Sequence, residues 1–310
     1  MAWPSTVRVI SQSSPAVVLA PGVLLLLCVE STQAQYCEIP QLPLEKYEQD
    51  FDARFISTPL DRNIPLTPEL NQGDCGVSKN DQSKQIVKGQ DAPANAWPWQ
   101  IKLIGSSHMC GGSIIHREWV VTAKHCAKQN VVSIYYGNIS FKKSKMIRAV
   151  KYFTYPSSDI AVYKLSSPLN FSDSVQPICL PEDNVWDTTP CFATGWGLTS
   201  IEKYIIPDTL QQIRSRIINQ TVCQAAQTFK GYLSYRGFYY CVQSVEFPTG
   251  EYAGIYLGDS GGPLSCLKNG RYYLVGVVSS VKESDGSLIS FYAAVPRAVP
   301  TIIAGMKENA

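Results

Sequence analysis

The sequence is short of what metal centres, nucleic-acid surfaces and membrane spans require. Only three histidines occur in 310 residues (His108, His116 and His125), without zinc-ligand spacing, and there is no Cys-x-x-Cys, so a metal site lacks support and no cofactor is expected. Charged residues are 17% of the chain against 45% hydrophobic, which excludes a disordered polypeptide and permits a large buried core. Beyond residue 34 no stretch approaches about eighteen uninterrupted apolar residues, so no membrane helix is expected there. The densest basic stretch (Lys142, Lys143, Lys145, Arg148 and Lys151) has no interleaved aromatic platform or recognition helix, and reads as a solvated strand face rather than a nucleic-acid site. Internal repeats and long amphipathic patterns are also missing, apart from a tail over Val299 to Lys307. There Ile302, Ile303 and Met306 line one face of a short helix entered at Pro300.

What is present begins with a leader. Residues 1–34 carry one basic residue, Arg8, then an apolar run from Ala16 to Val29 interrupted at Pro21-Gly22, then small residues ending at Ala34. This pattern predicts a secretory signal cleaved after Ala34, and hence a secreted, extracellular protein. Ten cysteines suit an exported chain stabilised by disulfides; loss of the signal removes Cys28 and leaves nine, an odd number. Three acceptor sequons, at Asn138, Asn170 and Asn219, make glycosylation candidates and agree with secretion. Residues 35–85 hold five Lys/Arg against nine Asp/Glu and are rich in Pro, Asp, Gln and Asn, so they read as a mostly irregular, mildly acidic pro-segment. From residue 86 the body is mildly basic, with 21 Lys/Arg against 15 Asp/Glu. Short runs such as Val131 to Tyr135, Ile160 to Leu165 and Tyr272 to Val278, punctuated by Gly, Pro, Asn and Ser, predict an all-β antiparallel architecture.

The chemistry centres on Gly258-Asp259-Ser260-Gly261-Gly262-Pro263. Flanking glycines let the backbone turn sharply and leave a serine hydroxyl and nearby N–H groups open to a ligand. Read alone, the stretch is also ordinary surface-turn chemistry. A hydroxyl nucleophile needs a base, and the base needs an orienting partner. His125 ends the apolar strand Val120-Val121-Thr122-Ala123-Lys124-His125 beside Cys126, and Asp159 opens the strand Ile160 to Leu165. Each has a plain structural reading, as a strand-end histidine and as a loop-capping acid.

Together, Thr122 to Cys126, Asp159-Ile-Ala-Val162, Gly195-Trp196-Gly197, residues 258–263 and Ile86-Val87-Lys88-Gly89 resemble the chymotrypsin and trypsin family across residues 86–310. The resemblance implies two packed six-stranded antiparallel β-barrels with a boundary near residues 185–190, a short C-terminal helix, and a cleft in which His125, Asp159 and Ser260 carry acyl transfer. It implies an oxyanion hole from the N–H groups of Gly258 and Ser260. It also implies disulfides pairing Cys110 with Cys126, Cys191 with Cys266, Cys223 with Cys241 and Cys75 with Cys179. Cys37 is then left over, available to another chain. A pocket bridge common in the family is missing at both ends, which implies a looser pocket rim.

By the same resemblance, cleavage before Ile86 frees an ammonium that pairs with Asp259, so the uncut chain is expected to be nearly inactive. Gln85 stands where relatives have Arg or Lys. Activation therefore needs a protease that accepts Gln85, or trimming after a cut at Lys84. Gly254 at the pocket floor carries no charge, and Val281 and Ser290 fall at the walls. The implied substrates are polypeptides cut after small or medium apolar residues, with protein inhibitors as further partners. An esterase reading is not supported: Gly258 and Gly262 flank Ser260, but among short strands rather than at a strand-to-helix elbow. The rival class is a protease-fold scaffold that keeps the three side chains and is never activated.

Overall fold

In the computed structural model, the described residues are 27–31, 34–38, 75–80, 89–105, 108–128, 132–182, 186, 189–199, 205–218, 239–244, 258–284 and 287–310. Contacts divide the chain into two units, Met1–Asn63 and Ile64–Ala310. In the first, β1 (Leu27–Ser31) pairs antiparallel with β2 (Ala34–Glu38), with Cys28 and Cys37 as register partners. This hairpin straddles the expected signal junction after Ala34.

The second unit is built from short strands rich in β-branched and aromatic residues, which suit a pleated surface buried on one or both faces. After β3 (Gln90–Asp91), six strands close a barrel in the order β4 (Gln100–Ile104), β5 (Met109–His116), β6 (Trp119–Thr122), β9 (Ile160–Leu165), β8 (Lys145–Tyr155) and β7 (Val132–Tyr136). Closure leaves no open edge. The six-residue run Ile160 to Leu165 is buried throughout except for half-exposed Lys164, because β9 is covered on both sides.

A second sheet runs in the order β10 (Cys191–Gly195), β13 (Pro263–Lys268), β14 (Arg271–Ser284), β15 (Ser287–Ala294), β12 (Tyr239–Ser244) and β11 (Gln211–Ile217), with β3 added outside β11. Pairing of β10 with β11 closes these six strands into the second barrel. Helix α1 (Val299–Glu308) starts with Pro at its first turn and buries Val299, Ile302, Ile303 and Met306. Proline is tolerated there because its missing N–H has no partner inside the helix anyway.

The largest buried cluster crosses from the first barrel into the second, which also has an apolar cluster of its own around Trp186, Ile213 and Val275. Trp97 packs on Phe192 at 5.3 Å and on Tyr272 at 5.1 Å between ring centroids, and edge-on against Trp99 at 5.9 Å. The two indoles are satisfied across the seam: Trp99 Nε1 donates to Ser265 Oγ (3.1 Å) and Trp97 Nε1 to Gln212 Oε1 (2.6 Å). Buried indole N–H groups left unpaired would cost about 1–3 kcal/mol each, so these bonds fix how the barrels meet. Three disulfides join Cys75 to Cys179, Cys110 to Cys126 and Cys191 to Cys266. Cys241 is also disulfide-bonded; Cys223, its expected partner, lies outside the described residues.

Candidate active site

His125 sits on a one-turn 3-10 helix, Lys124–Cys126, at the end of β6, and the Cys110–Cys126 disulfide pins that turn to β5. His108 braces it from below, since its Nε2 donates to the Cys126 carbonyl at 2.8 Å. Asp159 lies just before β9, whose residues Ala161 and Val162 pair with Thr122 and Val121. The register of β6 and β9 therefore delivers the imidazole and the carboxylate to one place.

The contact between them is two-pronged. Asp159 Oδ2 accepts the His125 Nδ1–H at 2.7 Å, and Oδ1 accepts the His125 backbone N–H at 2.9 Å. This leaves Nε2 of His125 as the ring's acceptor. The His125 side chain is 44% exposed while that of Asp159 is only 15% exposed, so the imidazole is open to solvent and the carboxylate beside it is screened from water. Ser279 Oγ adds a third hydrogen bond, donating to Asp159 Oδ2 at 2.7 Å. Burial pushes the Asp159 carboxyl up, but the hydrogen bonds from His125 and Ser279 and the charge of His125 outweigh it and hold the carboxyl below its ordinary value.

Ser260 comes from the second barrel, on the loop before β13. Its carbonyl accepts the Gly111 N–H at 2.7 Å and lies 3.7 Å from Cys126 Sγ, so the backbone of the serine is seated against the histidine's own turn. Gly261 makes this seating possible. Its φ is +82°, and a Cβ would run into Thr122 Oγ1 and to 3.0 Å from the Ala123 nitrogen. Gly261 N–H also donates to the Val278 carbonyl and Gly262 N–H to the Asp259 carbonyl, both at 2.8 Å. The loop is thus held by β14 on one side and by β5 and β6 on the other.

A family model described as Trypsin matches residues 86–302. The chain belongs to the trypsin family. Among solved structures, neuropsin, a serine protease expressed in the limbic system of mouse brain, matches with a TM-score of 0.60 and 26% identity, covering 71% of this chain and 99% of that one. Both comparisons place the fold among serine proteases, and the two barrels with a C-terminal helix are those of the chymotrypsin fold.

Other expected site residues are placed as follows in this trypsin-family chain. Gly258 and Asp259 lie beside Ser260, and Asp259 Oδ1 accepts the Gly197 N–H at 2.7 Å. Val281 and Ser290 are register partners on β14 and β15, Val281 being 38% exposed and Ser290 buried. Asn138 and Asn170 are exposed. Gln85, Ile86, Asn219, Cys223 and Gly254 lie outside the described residues. The Cys110 and Cys126 sulfurs and a His125 nitrogen gather within 4.8 Å, but those sulfurs are spent in a disulfide and offer no thiolate to a metal.

Two supporting residues had no signal in the sequence. Ser279 is one of a Ser-Ser pair inside a strand, where hydroxyls are commonplace. His108 sits among polar turn residues, and only the fold brings its ring beneath Cys126.

Proposed function

We propose that the protein is a secreted serine endopeptidase that cleaves polypeptides through an acyl-enzyme intermediate. The observation that carries this reading is the pair of hydrogen bonds from His125 to Asp159, with the Ser260 backbone bonded to the strand that leads into His125's disulfide. His125 Nε2 takes the Ser260 proton as Ser260 Oγ attacks a peptide carbonyl. The oxyanion is received by the N–H groups of Gly258 and Ser260, where losing one donor costs on the order of 100-fold in turnover. The tetrahedral species collapses, the leaving amine takes the proton from His125, and water then releases the acyl group by the same route. Asp159 keeps the imidazole in the tautomer whose Nε2 can accept.

The pocket takes small or medium apolar side chains. Support comes from Val281 and Ser290 standing opposite one another on β14 and β15, at the positions the family resemblance gives to the pocket walls. Its partners are polypeptide substrates, protein inhibitors and an activating protease that accepts Gln85 or acts with a trimming enzyme. A fluorophosphonate probe should label wild-type protein and not Ser260→Ala, and a peptide panel should show best cleavage after Ala, Val or Leu. Absence of label from chain beginning at Ile86 would leave a scaffold role instead, and best cleavage after Arg or Lys would overturn the pocket assignment.

A further inference from the structure

The strand that seats the nucleophile loop also sets an oxidisable side chain against it. On β5 the Gly111 N–H holds the Ser260 carbonyl at 2.7 Å, and a Cβ on Gly111 would come within 2.9 Å of the Gly262 Cα. Met109 lies two residues earlier on the same strand, so it takes the same face. Its methyl reaches Gly258, where a Cβ would lie 2.8 Å from Met109 Cε and 3.2 Å from the Gly197 Cα. Gly258, at φ +100°, is therefore packed on a thioether methyl and on the Gly197 backbone, whose N–H donates to Asp259 Oδ1 at 2.7 Å. The backbone that carries one of the two N–H groups assigned to the oxyanion is held in place, in part, by Met109.

A thioether fills such a contact well, because it is unbranched and polarizable, but it is also open to oxidation. Met109 is half-buried, Met146 on β8 is 52% exposed, and Met306 on the inward face of α1 is 7% exposed. In the reaction with hydrogen peroxide, one peroxide oxygen is transferred to Sδ. The S–O bond forms as the O–O bond breaks, the sulfur loses two electrons, and the other oxygen leaves as water with both protons. The product is a polar, chiral sulfoxide in place of an apolar, flexible chain. At Met109 the new oxygen sits one bond from the methyl that touches Gly258. It enlarges the contact, and it brings a partial negative charge beside a peptide whose N–H is to receive a developing anion.

We propose that the Met109 thioether is a modification site at which peroxides turn the enzyme down, because the sulfoxide displaces Gly258 from the position that receives the oxyanion. Met109 acts here as a positioning residue. The inference rests on the serine endopeptidase reading.

The test treats chain cut to begin at Ile86, obtained through a Gln85→Lys site, with hydrogen peroxide, for otherwise wild-type protein, Met109→Leu and Met146→Leu. Sulfoxide at each methionine is followed by peptide mass spectrometry, together with kcat and KM on a peptide ester. As Met109 is converted, kcat should fall about ten-fold with KM little changed, a part of the loss on the order of 100-fold that removal of an oxyanion donor brings. Met146→Leu should lose activity in the same way. Met109→Leu, apolar and close in volume, should keep its kcat through the same treatment, and methionine sulfoxide reductases should restore the oxidised wild type. Complete conversion of Met109 with kcat unchanged would overturn the proposal without requiring any variant to fold. So would a Met109 that stays reduced while Met146 is fully converted, or an equal loss of activity in Met109→Leu. Untreated cut wild type that neither turns over the ester nor takes a fluorophosphonate label would instead remove the endopeptidase reading itself.

Discussion

Replacing Ser279 by alanine deletes one hydroxyl and tests whether Asp159 is held by more than its histidine. The lost bond is 2.7 Å long and ends on Oδ2, the oxygen that also receives His125 Nδ1–H at 2.7 Å. A hydrogen bond to a charged acceptor contributes about 1.5–3 kcal/mol, a factor of roughly 10–150 if it were expressed fully in the transition state. With the Asp159 side chain still 15% exposed, water can enter the vacated position. The expected loss in kcat/KM is therefore near the low end, about ten-fold, carried by kcat. The pH dependence gives an independent readout. A carboxyl held below its ordinary value contributes fully above that value and loses its contribution as pH falls through the folded-state value. Without Ser279 one of the lowering causes is gone, so the stability that ionised Asp159 contributes should begin to be lost at higher pH. The assays are kcat/KM of processed enzyme at neutral pH and thermal melting from about pH 3 to pH 8. An unchanged pH dependence of melting together with unchanged kcat/KM would refute the role given to Ser279.

Further outcomes follow from the same contacts. Val281→Gly should widen the pocket and shift the best-cleaved residue toward Phe or Tyr, each accommodated methylene being worth about 1–3 kcal/mol in kcat/KM ratios. Ile302→Ala should lower stability by about 2–4 kcal/mol, measured by denaturant unfolding, because Ile302 is buried on the inward face of α1; activity per folded molecule should not change. Replacing Cys191 and Cys266 by alanine removes a bridge spanning 75 residues and should cost about 2–4 kcal/mol, seen as a melting temperature several degrees lower, because β10 and β13 remain paired at that register.

The strands and the glycine-flanked serine loop were legible for local reasons. Ile160 to Leu165 reads as a buried strand because its run of apolar residues is short and β-branched, and it became β9. The tail helix was legible from Ile302, Ile303 and Met306, which are buried on one face of α1. Residues 258–263 stand out because a serine among glycines has little reason to lie in a core.

Lys102 shows where such reading ends. In Gln-Ile-Lys-Leu-Ile the alternation puts Ile101 and Leu103 inward and Lys102 outward, which in a solitary sheet would mean water. Here outward is the seam where Phe141 and Trp196 lie, so the same alternation buries an ammonium. Local pattern determines which face of a strand a side chain takes, because the pleat has a period of two. What covers that face is decided by segments more than ninety residues away in the chain, such as Trp196 over Lys102 or Ser279 beside Asp159, and only the packing of the two barrels against each other brings them there.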